Sequence, residues 1–156
     1  MTIDLNGPRC PCGNTGCLEV MASGTAIARI ALERLSRGEA SIITEITGGD
    51  SGKVTAKMVA EAARSGDYLA MAVMRTAATN LGAGIVNIVH IFNPELVIIG
   101  GGVSEAGDLI LEPARQIVTE RIMPDYTVRI LPATLRDYSG LLGAVALVLA
   151  NTSNKG

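Results

Sequence analysis

The stretch Asn93-Pro-Glu-Leu-Val-Ile-Ile-Gly-Gly-Gly102 decides the fold. Its Asn-Pro pair predicts the end of a preceding helix, because a residue before proline is kept out of the helical conformation. Leu96 to Ile99 form a continuous apolar run, which is typical of a strand buried in a parallel sheet. Three glycines follow at the carboxyl end of that strand, the edge at which α/β proteins bind ligands. The stretch therefore predicts an α/β fold with a ligand-binding edge.

Periodic apolar patterns on both sides predict further helices and one further strand. Gly82 and Gly84 fall inside the longest predicted helix, where each costs roughly 1 kcal/mol relative to alanine, so another backbone or a ligand is expected to come close. The order of elements in the second half predicts a doubly wound fold with a right-handed crossover. The predicted helices run from about Gly24 to Ser36, Thr55 to Gly66, Tyr68 to Ile91, Leu109 to Ile122 and Leu141 to Ala150; the second strand is Thr127 to Leu131, residues 1–22 are predicted loop, and 39–54 stay ambiguous.

The composition of the chain argues against several classes of protein function. The 156 residues include 18% charged ones and have a mean hydropathy of +0.36, which is typical of one compact domain. A net charge of −2, scattered basic residues and only three tyrosines and one phenylalanine argue against a nucleic-acid surface. No uninterrupted apolar run reaches the roughly 18 residues of a membrane span, and the first residues lack a signal-peptide pattern. These features predict a cytoplasmic protein without a membrane partner.

A cysteine cluster near the start of the chain is the strongest sign of chemistry. Cys10, Cys12 and Cys17 are the only cysteines, and their C-x-C-x4-C spacing with intervening glycines suits tetrahedral thiolate coordination of zinc. The fourth ligand stays open, with Asp4, Glu19 or water as candidates. The alternative is three reduced thiols without a metal. A redox role is disfavoured, because the spacing is not the C-x-x-C of thiol–disulfide enzymes.

Three other positions have a functional and a structural interpretation. Gly100–Gly102 fit a loop that lets backbone N–H groups approach a nucleotide and fit a plain strand-to-helix turn equally well. His90 is interpreted as structural, near the end of the long helix. Asp137 could be a catalytic carboxylate, but the pattern favours a turn before the last helix with Ser139 as its N-cap.

Three segments resemble the ROK family (repressors, open reading frames and kinases). Residues Cys10 to Glu19, followed by Ala22-Ser-Gly24, resemble its zinc motif. Asn93 to Val103 is similar to its adenosine-binding strand and loop, and Ser139 to Ala146 resembles the start of its closing helix. The resemblance covers essentially the whole chain in order, and the cysteine motif is its most specific part.

The resemblance implies the later part of the C-terminal lobe of an actin-like ATPase (RNase H-like) fold, helix-rich with a small parallel sheet. Residues 1–22 would form a zinc and sugar loop, 23–92 a helical segment, and 93–156 an adenosine-binding α/β segment. The first lobe with the catalytic base, and the histidine that is the family's fourth zinc ligand, would precede residue 1.

The implied function is ATP-dependent phosphorylation of a hexose, as in the glucokinases of glycolysis, with this part alone inactive. Cys10, Cys12 and Cys17 would hold a structural zinc ion, and Glu19 would hydrogen-bond hydroxyls of the hexose. Gly100, Gly101 and Gly102 would line the adenosine pocket, with magnesium-ATP as co-substrate and a homo-oligomer as the expected assembly. The alternative within the family is a sugar-sensing transcriptional repressor; Glu19 and the intact glycine loop favour the kinase.

Overall fold

The structure, a computed structural model, describes residues 1–135 and 138–153. These residues form seven α-helices and two short strands, joined by 3-10 turns at Ser51–Lys53 and Gly102–Ala106. In chain order the elements are α1 (Leu18–Ala22), α2 (Gly24–Ser36), α3 (Ile43–Ile46), α4 (Ala56–Arg64), α5 (Tyr68–Phe92), β1 (Leu96–Ile99), α6 (Asp108–Arg121), β2 (Arg129–Pro132) and α7 (Ser139–Ser153).

Helix α5 is the centre of the core, because α1, α2, α4 and α6 all pack against it. The Asp67 carboxylate accepts a hydrogen bond from the backbone N–H of Ala70 and begins the helix, and Asn93 ends it in the left-handed conformation with φ of 43°. Among the described residues, α5 is the one helix long and apolar enough to cross a membrane by composition. Its most apolar 18-residue window is 61% buried within the protein, so the fold uses it as a core helix.

Both glycines inside α5 mark close approaches; at Gly82 the neighbour includes backbone, as the sequence predicts, whereas at Gly84 it is a side chain. A β-carbon at Gly82 would lie 2.8 Å from Cβ of Ile117 and 3.1 Å from the carbonyl oxygen of Ala114, both on α6. A β-carbon at Gly84 would lie 2.8 Å from a methyl group of Leu18 on α1. The two glycines therefore let one helix approach each side of α5, and in both cases the neighbour is protein.

The two strands form a parallel pair in which Val97 lies opposite Ile130. Strand β1 has the predicted bounds, whereas β2 begins at Arg129, two residues later than predicted. The prediction that β1 is buried is wrong for one face, because Ile98 is 60% exposed. Ile130 is buried and Val97 packs against the core, so among the described residues this is the covered side of the pair.

Other predictions need small corrections. Residues 1–22 are not all loop, because Leu18–Ala22 forms α1; a five-residue helix is marginal on its own and depends on packing against α5. Helix α6 begins and ends one residue earlier than predicted, and α7 extends beyond the predicted bounds at both ends. The ambiguous segment contains α3. Asp137 lies outside the described residues, as does the side chain of Ser139.

Candidate functional site

Residues 1–17 fold into a closed loop that carries the cysteines. Isolated antiparallel bridges join Thr2 to Cys17 and Arg9 to Thr15. Gly16 holds the loop closed: its backbone N–H donates to the carbonyl oxygen of Pro8 at 2.8 Å, and its φ is +57°. The preceding part of the chain lies too close to Gly16 to admit a side chain there. The loop therefore delivers Cys17 to a fixed place at the start of α1.

The structure brings the three predicted thiols together. The Sγ atoms of Cys10, Cys12 and Cys17 all lie within 4.8 Å of one another, and those of Cys12 and Cys17 are 3.6 Å apart. Sulfur ligands about 2.3 Å from a tetrahedral zinc ion are about 3.8 Å apart, so the cluster fits three corners of such a site. Among the described residues no aspartate, glutamate or histidine joins it, so Asp4 and Glu19 are not fourth ligands in this arrangement.

The three thiols differ in their acidity. The hydrogen bond from the backbone N–H of Asn14, followed by those from Cys10 and Cys17, lowers the pKa of the Cys12 thiol to about 7. The hydrogen bond with Cys12, followed by burial, raises the pKa of Cys17. One thiolate is therefore available near neutral pH, and the thiolate is the form of cysteine that binds metals.

Helix α1 connects the cysteine cluster to Glu19. Cys17 is the residue before its first turn, and Glu19 lies in that turn. The side chain of Glu19 is exposed, and its carboxylate has no hydrogen bond or ion pair with any residue that the structure describes. It is thus a free acceptor on a short helix that is anchored next to the thiols.

Two residues that sequence reasoning missed hold α1 in place. The amide of Asn80, on α5, donates to the carbonyl oxygen of Met21 at 3.1 Å. The guanidinium of Arg29, on α2, donates to the carbonyl oxygen of Val20 at 3.1 Å. Both bonds satisfy carbonyl groups at the end of a helix, which otherwise lack partners. The signal for Asn80 was an amide side chain inside an apolar helix.

The glycine loop follows β1 directly. Gly101 needs to be glycine for conformational reasons, because its φ is +75°. Gly100 and Gly102 have ordinary φ values, and a β-carbon on Gly102 would meet nothing within 4 Å. A plain turn therefore accounts for Gly101 alone. A β-carbon on Gly100 would make an ordinary contact with Ala133 at 3.7 Å, so of the other two glycines only Gly102 leaves open space beside the strand end.

Glu19 and the glycine loop face the same cavity. A cavity of about 680 Å³ is lined by Glu19, by Gly100–Gly102 and by Ser23–Thr25 at the beginning of α2. Its size suits a small-molecule ligand, but cavities of about 640 and 630 Å³ occur elsewhere, so the lining and not the volume sets it apart. Glu19 is the one ionisable side chain among its described lining residues.

His90 does not line this cavity. Its ring makes an edge contact with Tyr126, with centroids 6.1 Å apart, and its Nε2 atom is buried without a hydrogen-bond partner in the part of the chain that the structure describes. This placement agrees with a structural role.

Comparison with known proteins gives a consistent result. The sequence profile of the ROK family matches residues 1–151. Glucokinase from Thermotoga maritima is 37% identical over 150 residues, which are 95% of this chain and 47% of that protein. A putative xylose repressor from Caldicellulosiruptor is 37% identical over 154 residues, which are 97% of this chain and 38% of that protein. The chain thus spans about half or less of the length of these relatives.

The solved structures agree with the sequence matches. A ROK family glucokinase from Streptomyces griseus, in complex with glucose and AMPPNP, superposes with a TM-score of 0.84 at 33% identity. The superposition covers 94% of this chain and 49% of that one. The predicted fold class, part of a lobe of this actin-like kinase fold, is confirmed.

Proposed function

Because the chain belongs to the ROK family, we propose that it is the part of an ATP-dependent hexose kinase that binds the sugar and the adenosine. The observation that carries the proposal is the shared cavity of Glu19 and Gly100–Gly102. Phosphoryl transfer requires the acceptor hydroxyl and the donor phosphate to be held side by side, and positioning supplies most of the catalysis. The bound glucose and AMPPNP of the Streptomyces griseus relative support this pair of ligands.

Glu19 would bind the sugar. Its unpartnered carboxylate can accept hydrogen bonds from two hydroxyl groups of one hexose, and a hydrogen bond to a charged group contributes about 1.5–3 kcal/mol. The beginning of α2, at Ser23–Thr25, lines the same cavity and carries the partial positive charge of a helix N-terminus. This end of the cavity is therefore suited to an oxygen-rich, uncharged ligand.

Gly100–Gly102 would line the adenosine pocket. The open space at Gly102 allows a nucleotide to approach the backbone, and no basic side chain lines the cavity among the described residues. We therefore expect magnesium and groups outside this chain to neutralise the phosphates of ATP.

Cys10, Cys12 and Cys17 would hold a zinc ion. Bound zinc acts here as a structural cross-link and takes no part in the reaction. Cys17 lies two residues before Glu19, so the bound ion would fix the start of α1 and hold the sugar-binding carboxylate at the wall of the cavity. The close approach of the three sulfur atoms supports this assignment.

The general base would lie outside this chain. Glu19 is the one ionisable side chain among the described lining residues, and sugar binding occupies it. We therefore expect the chain alone to bind ligands weakly and to show no turnover. We further propose that the full protein acts in glycolysis in the cytoplasm and assembles as a homo-oligomer.

A chimera tests the proposal. The 150 residues of Thermotoga maritima glucokinase that this chain matches are replaced by this chain. A coupled assay is expected to show glucose-dependent formation of ADP by the chimera and none by this chain alone. A folded chimera without turnover, or turnover by this chain alone, would contradict the proposal.

Two variants of the chimera separate the binding roles. Glu19→Gln is expected to raise KM for glucose by at least about tenfold, whereas Glu95→Gln, an exposed carboxylate outside the cavity, is the matched control. Gly102→Val is expected to weaken AMPPNP binding without unfolding the chain, because position 102 has an ordinary φ and free space.

A sugar-sensing repressor is the second candidate. The Caldicellulosiruptor relative is as identical to this chain as the glucokinase from Thermotoga maritima is. A repressor needs sugar binding without phosphoryl transfer. Calorimetric titration of the chimera with glucose and AMPPNP separates the candidates. The repressor would be favoured if Glu19→Gln weakens glucose binding while Gly102→Val leaves AMPPNP binding unchanged.

A further inference from the structure

Cys12 and Cys17 form a thiol pair of their own within the cluster, with their sulfur atoms 3.6 Å apart. We propose that this pair is an oxidative modification site: a hydroperoxide converts it to a disulfide, and the disulfide and a bound metal exclude each other. The exclusion of the metal rests on the proposed zinc site, whereas formation of the disulfide does not.

The sulfur atoms are close enough to bond after a side-chain rotation. A disulfide needs a sulfur–sulfur distance of about 2.05 Å, so the observed 3.6 Å must shorten by about 1.5 Å. Cys12 is exposed and can rotate, whereas Cys17 is buried at the start of α1 and held by its bridge to Thr2. The movement therefore falls on Cys12 and leaves the framework of the loop in place.

The fold creates a pair that the sequence spacing does not suggest. Four residues separate Cys12 from Cys17, unlike the two of a C-x-x-C motif. Gly16 closes the loop against the preceding chain and so brings Cys17 back to Cys12. Pairing of Cys10 with Cys12 is disfavoured, because Pro11 alone separates them and its φ is fixed.

Burial assigns the two roles in the reaction. The exposed Cys12 sulfur attacks an oxygen of the hydroperoxide; the O–O bond breaks, a sulfenic acid forms, and water or an alcohol leaves. The Cys17 sulfur then attacks the sulfur of Cys12; the S–O bond breaks and a second oxygen leaves as water. Two thiols lose two electrons and two protons, and the hydroperoxide is reduced by the same two electrons.

The modification would reach the cavity through α1. The disulfide leaves Cys10 as the only free cysteine of the cluster, and one cysteine ligand cannot hold zinc tightly. Cys17 directly precedes α1, which carries Glu19. Oxidation would therefore replace a metal cross-link by a covalent one at the base of the helix that lines the cavity.

The experiment measures thiols and metal, not catalysis. The reduced chain is treated with EDTA under nitrogen, then with one equivalent of hydrogen peroxide, and thiols are counted with a chromogenic disulfide after denaturation. The count is expected to fall from three to one, with a peptide map linking Cys12 to Cys17. Preloading with zinc is expected to slow the loss about tenfold, and oxidation is expected to release zinc to a coloured chelator.

Variants and a denatured control make the result decisive. Cys10→Ser is expected to keep the link and Cys12→Ser to lose it; the exposed position of Cys12 makes that variant safe for folding. When the same oxidation is done on the chain unfolded in urea, a mixture of different cysteine pairs is expected. A native map that joins Cys10 to either partner, or that shows sulfinic acid at Cys12 without a link, overturns the site. If the Cys12–Cys17 disulfide forms but the reduced chain binds no zinc, the oxidative modification site stands and the proposed zinc site is refuted.

Discussion

Gly16 lies so close to Asp4 that a β-carbon at position 16 would fall 1.5 Å from the Asp4 carbonyl oxygen. Gly16 also has a φ of +57°, which costs an alanine about 1–2 kcal/mol. We therefore expect Gly16→Ala to open the loop, to displace Cys17 and to abolish zinc binding, with a loss of at least about 2 kcal/mol in the free energy of unfolding. Metal titration and urea denaturation measure the two effects.

Gly13→Ala is the matched control for this variant. Gly13 has a φ of +94°, but a β-carbon there would meet nothing within 4 Å. The Gly13→Ala variant therefore has the energetic cost of a positive φ but no steric overlap, and we expect it to retain zinc. Equal losses in the two variants would show that the contact between Gly16 and Asp4 does not shape the site.

The approach of α6 to α5 at Gly82 gives a second prediction. Gly82→Ala gains about 1 kcal/mol of helix propensity, but its β-carbon would overlap Ile117 and the backbone of α6. We expect a net loss of about 1–2 kcal/mol in the free energy of unfolding, because overpacking a core costs about 1–3 kcal/mol. Gly84→Ala meets only the flexible end of Leu18 and should cost less. Urea denaturation measures the free energy of unfolding of both variants. A Gly82→Ala chain more stable than the unaltered one would contradict the close packing of α6 on α5.

The elements with strong local signals could be predicted from the sequence. Three helices begin with a side chain that accepts a hydrogen bond from the backbone, and such capping side chains can be recognised in a sequence. They are Ser23, Thr55 and Asp67. The parallel strand β1 was readable because its apolar run is bounded by Asn-Pro and three glycines. The signals for these elements lie within a few residues of one another, so they can be read without knowledge of long-range contacts.

Structural features that depend on contacts between residues far apart in the sequence could not be predicted. The five-residue helix α1 has no side-chain cap, and its end is held by Arg29 and Asn80 from other helices. The sharing of one cavity by Glu19 and the glycine loop is likewise a tertiary property of residues about eighty positions apart. Sequence reasoning found the residue types but not the two side chains that position them.

Asn80 carries a third prediction. In the chimera, Asn80→Ala removes the donor to Met21, and a hydrogen bond of this kind contributes about 1 kcal/mol. If the bond orients Glu19 for the sugar, KM for glucose rises about fivefold while kcat changes little. Thr79→Ala, next to it and exposed, is the control. A fall in kcat at unchanged KM would show that Asn80 does not act through sugar binding.

Asp67 gives a prediction on pH. Burial raises the pKa of its carboxyl, but hydrogen bonds from the backbone N–H groups of Ala70 and Ile42, together with those from Ser41 and Leu69, outweigh burial, so the net pKa is lower than usual. A lowered pKa in the folded state stabilises the protein above the ordinary value of about 4, and this contribution disappears as the pH falls through the folded-state pKa. Asp67→Ala should therefore cost about 1–2 kcal/mol at neutral pH and less in acid.

The control for Asp67 is Asp50→Ala, because Asp50 caps only the 3-10 turn at Ser51–Lys53. Urea denaturation of both variants at several pH values gives the comparison. A loss at Asp67 that stays constant from neutral pH into acid would mean that the ionised carboxylate is not what stabilises the beginning of α5.

Helix α7 carries the last prediction, on assembly. Leu141, Leu147 and Val148 are 63%, 67% and 63% exposed, and a helix with apolar residues on all sides is normally covered. We expect the isolated chain to self-associate at micromolar concentration, because large exposed apolar patches mark association surfaces. Sedimentation velocity is expected to show dimers or larger species, and lysine at these three positions to return the monomer. Leu5→Lys, at a site 83% exposed in another segment, is expected to leave the assembly unchanged. A single monomer boundary for the unaltered chain would exclude α7 as an association surface.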